Sequence, residues 1–274
     1  MSNPSQGSSN IRIINCTINN CYYGLRPCNW SDIIIENCKI SNCQEGIHLT
    51  SCGKSEDMPS KHSPLINAVI NNCIISNTNT YGIWGRGKFA YNDSTDISYL
   101  DGVVVSNCKF KNCNGSSAIY LDVCKNIRTC YNLINDSARS IWLSSCKNAV
   151  IDGNICEAIT NEGVFTSLTS LVDEEYKPRS KDIKVNNNTC ISCGRNGIFV
   201  QYADDFIISN NFIENCSLED NTRNGIMVAA NNGFVSDNIV RGANHSKDIY
   251  VTSGSDQVFC NNNLASIILD SSKK

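Results

Sequence analysis

Acid–base cleavage of a glycosidic bond needs two carboxylates about the scissile bond, roughly 5–5.5 Å apart for retention and roughly 6.5–9.5 Å for inversion. Asp122 and Glu162 are the two acidic residues best placed for such work. Asp122 closes the run AIYLD, and Arg86 holds the matching place in GIWGR one repeat earlier. That cation would keep Asp122 ionised, which suits a base or nucleophile; an ordinary cross-strand ion pair is the plain alternative. Glu162 precedes GVFTS two repeats on, on the order of 10 Å away by repeat spacing. Rings recur beside them. His48, Trp84, Tyr120, Trp142 and Phe165 occupy one place in successive runs, and Ser144 follows two residues after Trp142. An exposed row of flat rings marks a binding surface on which sugars could stack; the alternative is a face covered by a loop or a second subunit.

These positions follow from a repeat. The segments IRIINCTINNC (11–21), IIIENCKISNC (33–43), AVINNCIISNT (68–78) and VVVSNCKFKNC (103–113) are versions of one another. IRTCYNLINDS (127–137), AVIDGNICEAI (149–159), IKVNNNTCISC (183–193) and FIISNNFIENC (206–216) continue the series, with looser copies around Asn238 and Asn263. A second short run follows each copy, among them GIHLT, GIWGR, AIYLD, SIWLS, GVFTS, GIFVQ and GIMVA. One column passes through all copies: Cys16, Cys38, Cys73, Cys108, Asn132, Asn154, Asn188, Asn211, Asn238, Asn263. The unit is about 22 residues, with three longer ones. Apolar residues alternate over three or four positions before each turn, a strand pattern too short for helices. Three short strands per unit describe a parallel β-solenoid whose inward side chains stack roughly 4.8 Å apart, so ten coils make a rod of about 48 Å. The column suits a turn with left-handed Asn and a stack of amides bonded to one another. Cys fills the same place as a small apolar residue in the first four coils.

Composition narrows the classes. The 23 Lys+Arg against 26 Asp+Glu leave a net charge of −3, which argues against a nucleic-acid partner. No apolar run is long enough to insert in a membrane, and the polar residues 1–10 carry no secretory signature. They read as a flexible leader, 11–270 as one solenoid and 271–274 as a polar tail. The 17 cysteines are odd in number and follow the repeat, which argues against a disulfide framework and for reduced thiols made in a reducing cytoplasm. The lone CxxC at Cys190–Cys193 and the scattered His48, His62 and His245 do not make a zinc site, so no metal or cofactor is expected.

The GIxΦ strand, the N-Φ-x-Φ-x-N-N-x-Φ strand pair and the Asn turn resemble the right-handed parallel β-helix, or pectate-lyase-like, superfamily, over about residues 10–270. The resemblance implies an all-β, single-stranded right-handed parallel β-helix, with glycan in a groove over the GIxΦ strands. It spans polysaccharide lyases, glycoside hydrolases, epimerases, phage tailspikes and adhesins. The Gly-His-Gly and Arg-Ile-Lys signatures of polygalacturonases and the Asp-Pro-His of alginate epimerases are missing.

The GIxΦ column of outward residues reads Arg26, His48, Trp84, Tyr120, Trp142, Phe165, Phe199, Met227, Tyr250, Ile268. The long insertions, 53–65, 87–101 and 168–181, all follow GIxΦ strands and should wall a notch floored by Tyr120, Asp122, Trp142 and Ser144. They carry Asp57, His62, Asp93, Asp96, Tyr99, Asp173, Glu174, Glu175, Tyr176 and Arg179. The expectation is a tailspike-like depolymerase acting on a bacterial polysaccharide, with Asp122 and Glu162 catalytic and Trp84, Arg86, Tyr120, Trp142, Ser144, Phe165 and His48 binding. A hydrolase is favoured over a lyase, which would need Ca²⁺ or Arg at the uronate and a base such as Arg86, His48, Tyr99 or Arg179. A non-catalytic rod whose stripe is a subunit interface, and a uronic-acid lyase or epimerase, are the alternatives. The resemblance also implies a homotrimer on a virion tail; the lack of an amphipathic capping helix at either end of the rod suggests flanking domains that cover it.

Overall fold

The computed structural model describes residues 8–28, 30–50, 66–90, 93–170, 178–219, 221–242 and 244–270, with the side chains of 88–98 undescribed. The described residues form strands and no helix, 25 strands in one parallel sheet and two in a separate hairpin. Each strand pairs with its counterpart one repeat away: Ser9–Ile14 with Ser31–Glu36, and Ser117–Asp122 with Ile141–Ser144. This is the expected right-handed β-helix. The hairpin, Lys88–Ala90 with Asp93–Ser98, is the insertion after the third coil.

Three ladders run the length of the rod. Inward residues stack by register, as Ile33, Ala68 and Val103 do in one ladder and Ile47, Ile83, Ile119 and Ile141 in another, all fully buried. Each of the Ile and Val side chains contributes about 1.5–3 kcal/mol by burial.

The Asn column forms a continuous amide ladder. Asn132 Nδ2 donates to Asn154 Oδ1 at 2.9 Å, Asn154 to Asn188 at 2.9 Å, Asn188 to Asn211 at 3.1 Å and Asn211 to Asn238 at 2.9 Å. Each amide also donates to a carbonyl of the preceding coil, as Asn188 does to Ile151 O at 2.9 Å. The left-handed residues stand one place earlier than expected, at Asn37, Asn72, Asn107, Asn187 and Asn210. Ladder and turn are thus separate columns, because an inward amide cannot also occupy the outward corner. Gly153 takes that corner in one coil, where a Cβ would lie 2.6 Å from the Tyr131 ring.

Cysteine in this column is more than filler. Cys108 Sγ donates to Ile70 O at 3.7 Å and accepts the N–H of Cys73 at 3.4 Å, weak copies of the two bonds that Asn makes. Among the described residues, fifteen cysteines are free thiols. Cys28, outside the ladder columns, is disulfide-bonded, a departure from the fully reduced chain expected.

Candidate functional site

The register places the expected outward column in line. His48 pairs with Trp84, Trp84 with Tyr120, Tyr120 with Trp142, Trp142 with Phe165 and Phe165 with Phe199. The rings do not lie flat to solvent. They stack along the rod, His48 on Trp84 at 4.3 Å between centroids, Tyr120 on Trp142 at 4.4 Å and Phe165 on Phe199 at 5.5 Å. Tyr81 bridges Trp84 and Tyr120, at 5.1 and 5.4 Å. Arg139 lies over Trp142 at 4.8 Å. His48, Tyr120 and Phe165 are buried, and Trp84 and Trp142 half-buried. The platform expected from the sequence is therefore corrected. A coil spacing near 4.8 Å is close to ring-stacking distance, so in-register rings use their faces on each other, at about 0.5–1.5 kcal/mol per pair.

Asp122 sits mid-rod on this face and is 2% exposed. Its Oδ2 accepts a hydrogen bond from Thr169 Oγ1 at 3.0 Å and lies 4.0 Å from Arg86 Nε. Its Oδ1 is buried with no hydrogen-bond partner. Burial pushes the carboxyl up to about 6, against the opposing pulls of Thr169, Arg86 and Tyr120. The expected direction of the shift is thus reversed: desolvation outweighs a guanidinium 4.0 Å away, and Asp122 keeps its proton up to about pH 6 instead of about 3.8. Burial and the neighbouring Asp122 also hold Tyr120 in its protonated form.

Glu162 does not join Asp122. It lies in register with Arg139 and Ser117, whereas Asp122 lies in register with Ser144 and Ser167. The offset is two coils along the axis, about 10 Å, and five residues along the strand, about 16 Å. That exceeds the separation of either glycosidase pair. Glu162 is instead a buried ion-pair partner, with Arg139 Nε at 2.7 Å and Arg195 Nη1 at 3.9 Å.

Ser144 is also removed from the surface. It is fully buried and bonded to Ser167 Oγ at 2.7 Å, and Trp142 Nε1 donates to the same oxygen at 2.8 Å. His48 stands 2.8 Å from Glu45, Nδ1 to Oε2, without the alignment of a hydrogen bond. Burial, with Arg26 and Arg86 nearby, pushes His48 down to about 4, while burial pushes Glu45 up. Of the expected binding set, Arg86 at 35% exposure and the edges of Trp84 and Trp142 remain reachable.

Among the loop candidates, Arg179 is paired with Asp204 at 3.0 Å, and Tyr99 carries Lys147 over its ring. Asp57, His62, Asp173, Glu174, Glu175 and Tyr176 lie outside the described residues, as do the side chains of Asp93 and Asp96. Sequence reasoning missed Glu45, Tyr81, Arg139 and Thr169. The first three precede their GIxΦ strands as Glu162 does, a column that register alone could have flagged. Thr169 carried no signal, because it reaches Asp122 by folding back across a coil.

No curated protein matches the sequence. Among solved structures, the A-module of mannuronan C-5 epimerase AlgE6 from Azotobacter vinelandii superposes with a TM-score of 0.60 at 12% identity, over 98% of this chain and 83% of that one. A double mutant of the periplasmic alginate epimerase AlgG gives 0.66 at 9% identity, over 94% and 70%. The N-terminal fragment of bacteriophage Phi29 gene product 12 gives 0.62 at 14%, over 94% of this chain but 52% of the fragment. The chain spans about half the length of several such neighbours. At these identities the likeness is one of fold. The model of the right-handed β-helix region matches residues 5–92, 31–173 and 176–266, and with the ladders and coil register this establishes that the chain belongs to the right-handed β-helix family.

Proposed function

We propose that the chain binds a bacterial surface polysaccharide along the outer GIxΦ face and cleaves it, with Asp122 as proton donor. The observation that carries this is Asp122 itself: a carboxyl buried mid-face, raised to about 6, beside a half-exposed arginine. Burying a carboxyl there costs stability and serves no packing need, and such perturbed groups concentrate at functional sites. Arg86, 35% exposed beside Asp122, would bind the substrate. Asp122 would protonate the glycosidic oxygen as the C–O bond breaks. Water would then supply hydroxide to the anomeric carbon and its proton to Asp122. The alginate epimerases among the neighbours support a glycan substrate, and the bacteriophage protein among them is in keeping with a phage origin.

A second reading, a non-catalytic rod, is favoured by one observation: the ring stack is satisfied within the chain. The test is incubation with a panel of capsule and O-antigen polysaccharides, following reducing ends and the absorbance of unsaturated uronates. Reducing ends without absorbance support the hydrolase, and absorbance points to a lyase. Silence across the panel, with no binding, overturns the reading in favour of the rod.

A further inference from the structure

The strand Val164–Ser167 ends one coil beyond Ser144, yet the chain does not continue outward from there. It doubles back. Thr169 N donates to Ser145 Oγ at 3.0 Å, and Thr169 Oγ1 donates to Asp122 Oδ2 at 3.0 Å, 47 residues away in sequence. Ser167, at the root of this strap, is tied to Trp142 and Ser144. Thr169 is 1% exposed. The two oxygens of Asp122 are thereby made unequal. Oδ2 has the Thr169 hydroxyl and the Arg86 guanidinium; Oδ1 has neither and is buried without a hydrogen-bond partner. Negative charge is least costly where donors point, and a bare buried oxygen is least costly when it carries the proton.

We propose that Thr169 is a positioning residue for Asp122, fixing Oδ2 as the charge-bearing oxygen and leaving Oδ1 to carry the transferable proton. Its catalytic consequence rests on the reading of Asp122 as the acid; the positioning itself does not. The groups facing the carboxyl are Arg86 from the neighbouring strand, Tyr120 and Cys124 from its own stretch of chain, and Thr169 from the strap. Thr169 donates at 3.0 Å and pulls the carboxyl down more strongly than Arg86 or Tyr120 does, so its removal should be felt most.

The test is a carboxyl ¹³C NMR titration of the full chain, with Asp122 assigned by loss of its signal in D122N. Thr169→Val keeps the shape and removes the donor. The Asp122 midpoint should rise from about 6 by about one pH unit, tenfold in the acid constant. Thr169→Ser should bring it back. An unmoved midpoint in folded T169V, or a rise that serine does not reverse, would overturn the proposal. If T169V does not fold, Ser145→Ala loosens the strap from its other anchor: an upward shift supports the proposal and no shift refutes it. With a cleavable polysaccharide, the alkaline limb of kcat/KM should move with the midpoint in T169V. If none is cleaved, the reading of Asp122 as an acid fails while the titration still decides the role of Thr169.

Discussion

Asp122→Asn should stabilise the protein above neutrality. In the folded chain the carboxyl titrates near 6, against 3.8 for its ordinary value. The folded state therefore holds the proton over a window in which the unfolded state has lost it. Stability associated with this proton is fully present below pH 3.8 and is lost as pH rises through about 6. Two units correspond to ~3 kcal/mol. Asparagine is neutral throughout and can still accept the Thr169 hydroxyl through its amide oxygen. Arg86 loses a partner at 4.0 Å while 35% exposed, worth less than about 1 kcal/mol. The variant should match the native protein at pH 4 and exceed it by ~2–3 kcal/mol at pH 8. Urea unfolding followed by far-UV circular dichroism at both pH values gives the comparison. A variant equal to or weaker than the native protein at pH 8, or a gap that does not close on acidification, would refute the argument that desolvation outweighs Arg86.

His48 should act in the opposite direction. Its folded value of about 4 lies below 6.5, so its contribution is present above 6.5 and lost as pH falls through 4, by ~3 kcal/mol. Urea midpoints of His48→Phe should fall less than those of the native protein over that interval. Asn188→Leu should cost ~4 kcal/mol, since it strands the amide and N–H of Asn154 and the carbonyl of Ile151. Asn188→Cys should cost about half as much, because the thiol repeats the bonds of Cys108; thermal melts of both variants provide the check. Glu162→Gln should lower stability by weakening the buried contact to Arg139 while leaving cleavage unchanged; lost cleavage would return Glu162 to the catalytic machinery.

Much of this was legible in the residues because a solenoid converts spacing into position. Cys38, Cys73, Cys108 and Asn132 mark one vertical line, and that line puts Trp84, Tyr120 and Trp142 in register. Spacing does not say which way a ring turns once its neighbour is about 4.8 Å off, so the stacking that closes the platform stayed hidden. The column of Asn132, Asn154 and Asn188 announces the ladder, but not that the turn stands one residue earlier, since asparagine suits both roles. Repeat spacing gives the separation of Glu162 from Asp122 along the axis but not the further offset along the strand. The titration of Asp122 is set by burial, which outweighs the opposing hydrogen bond from Thr169, a residue in an insertion without repeat character. Cys28 likewise lies off the columns that made the other cysteines readable.

The claim that Asp122 donates the proton is tested most directly by the pH profile of reducing-end release from a cleaved polysaccharide, measured for the native protein and Asp122→Asn. The account predicts that kcat/KM falls as pH rises through about 6 and that the variant is inactive at every pH while still folded. Undiminished cleavage by the variant, or a native rate that climbs above pH 6, would contradict it.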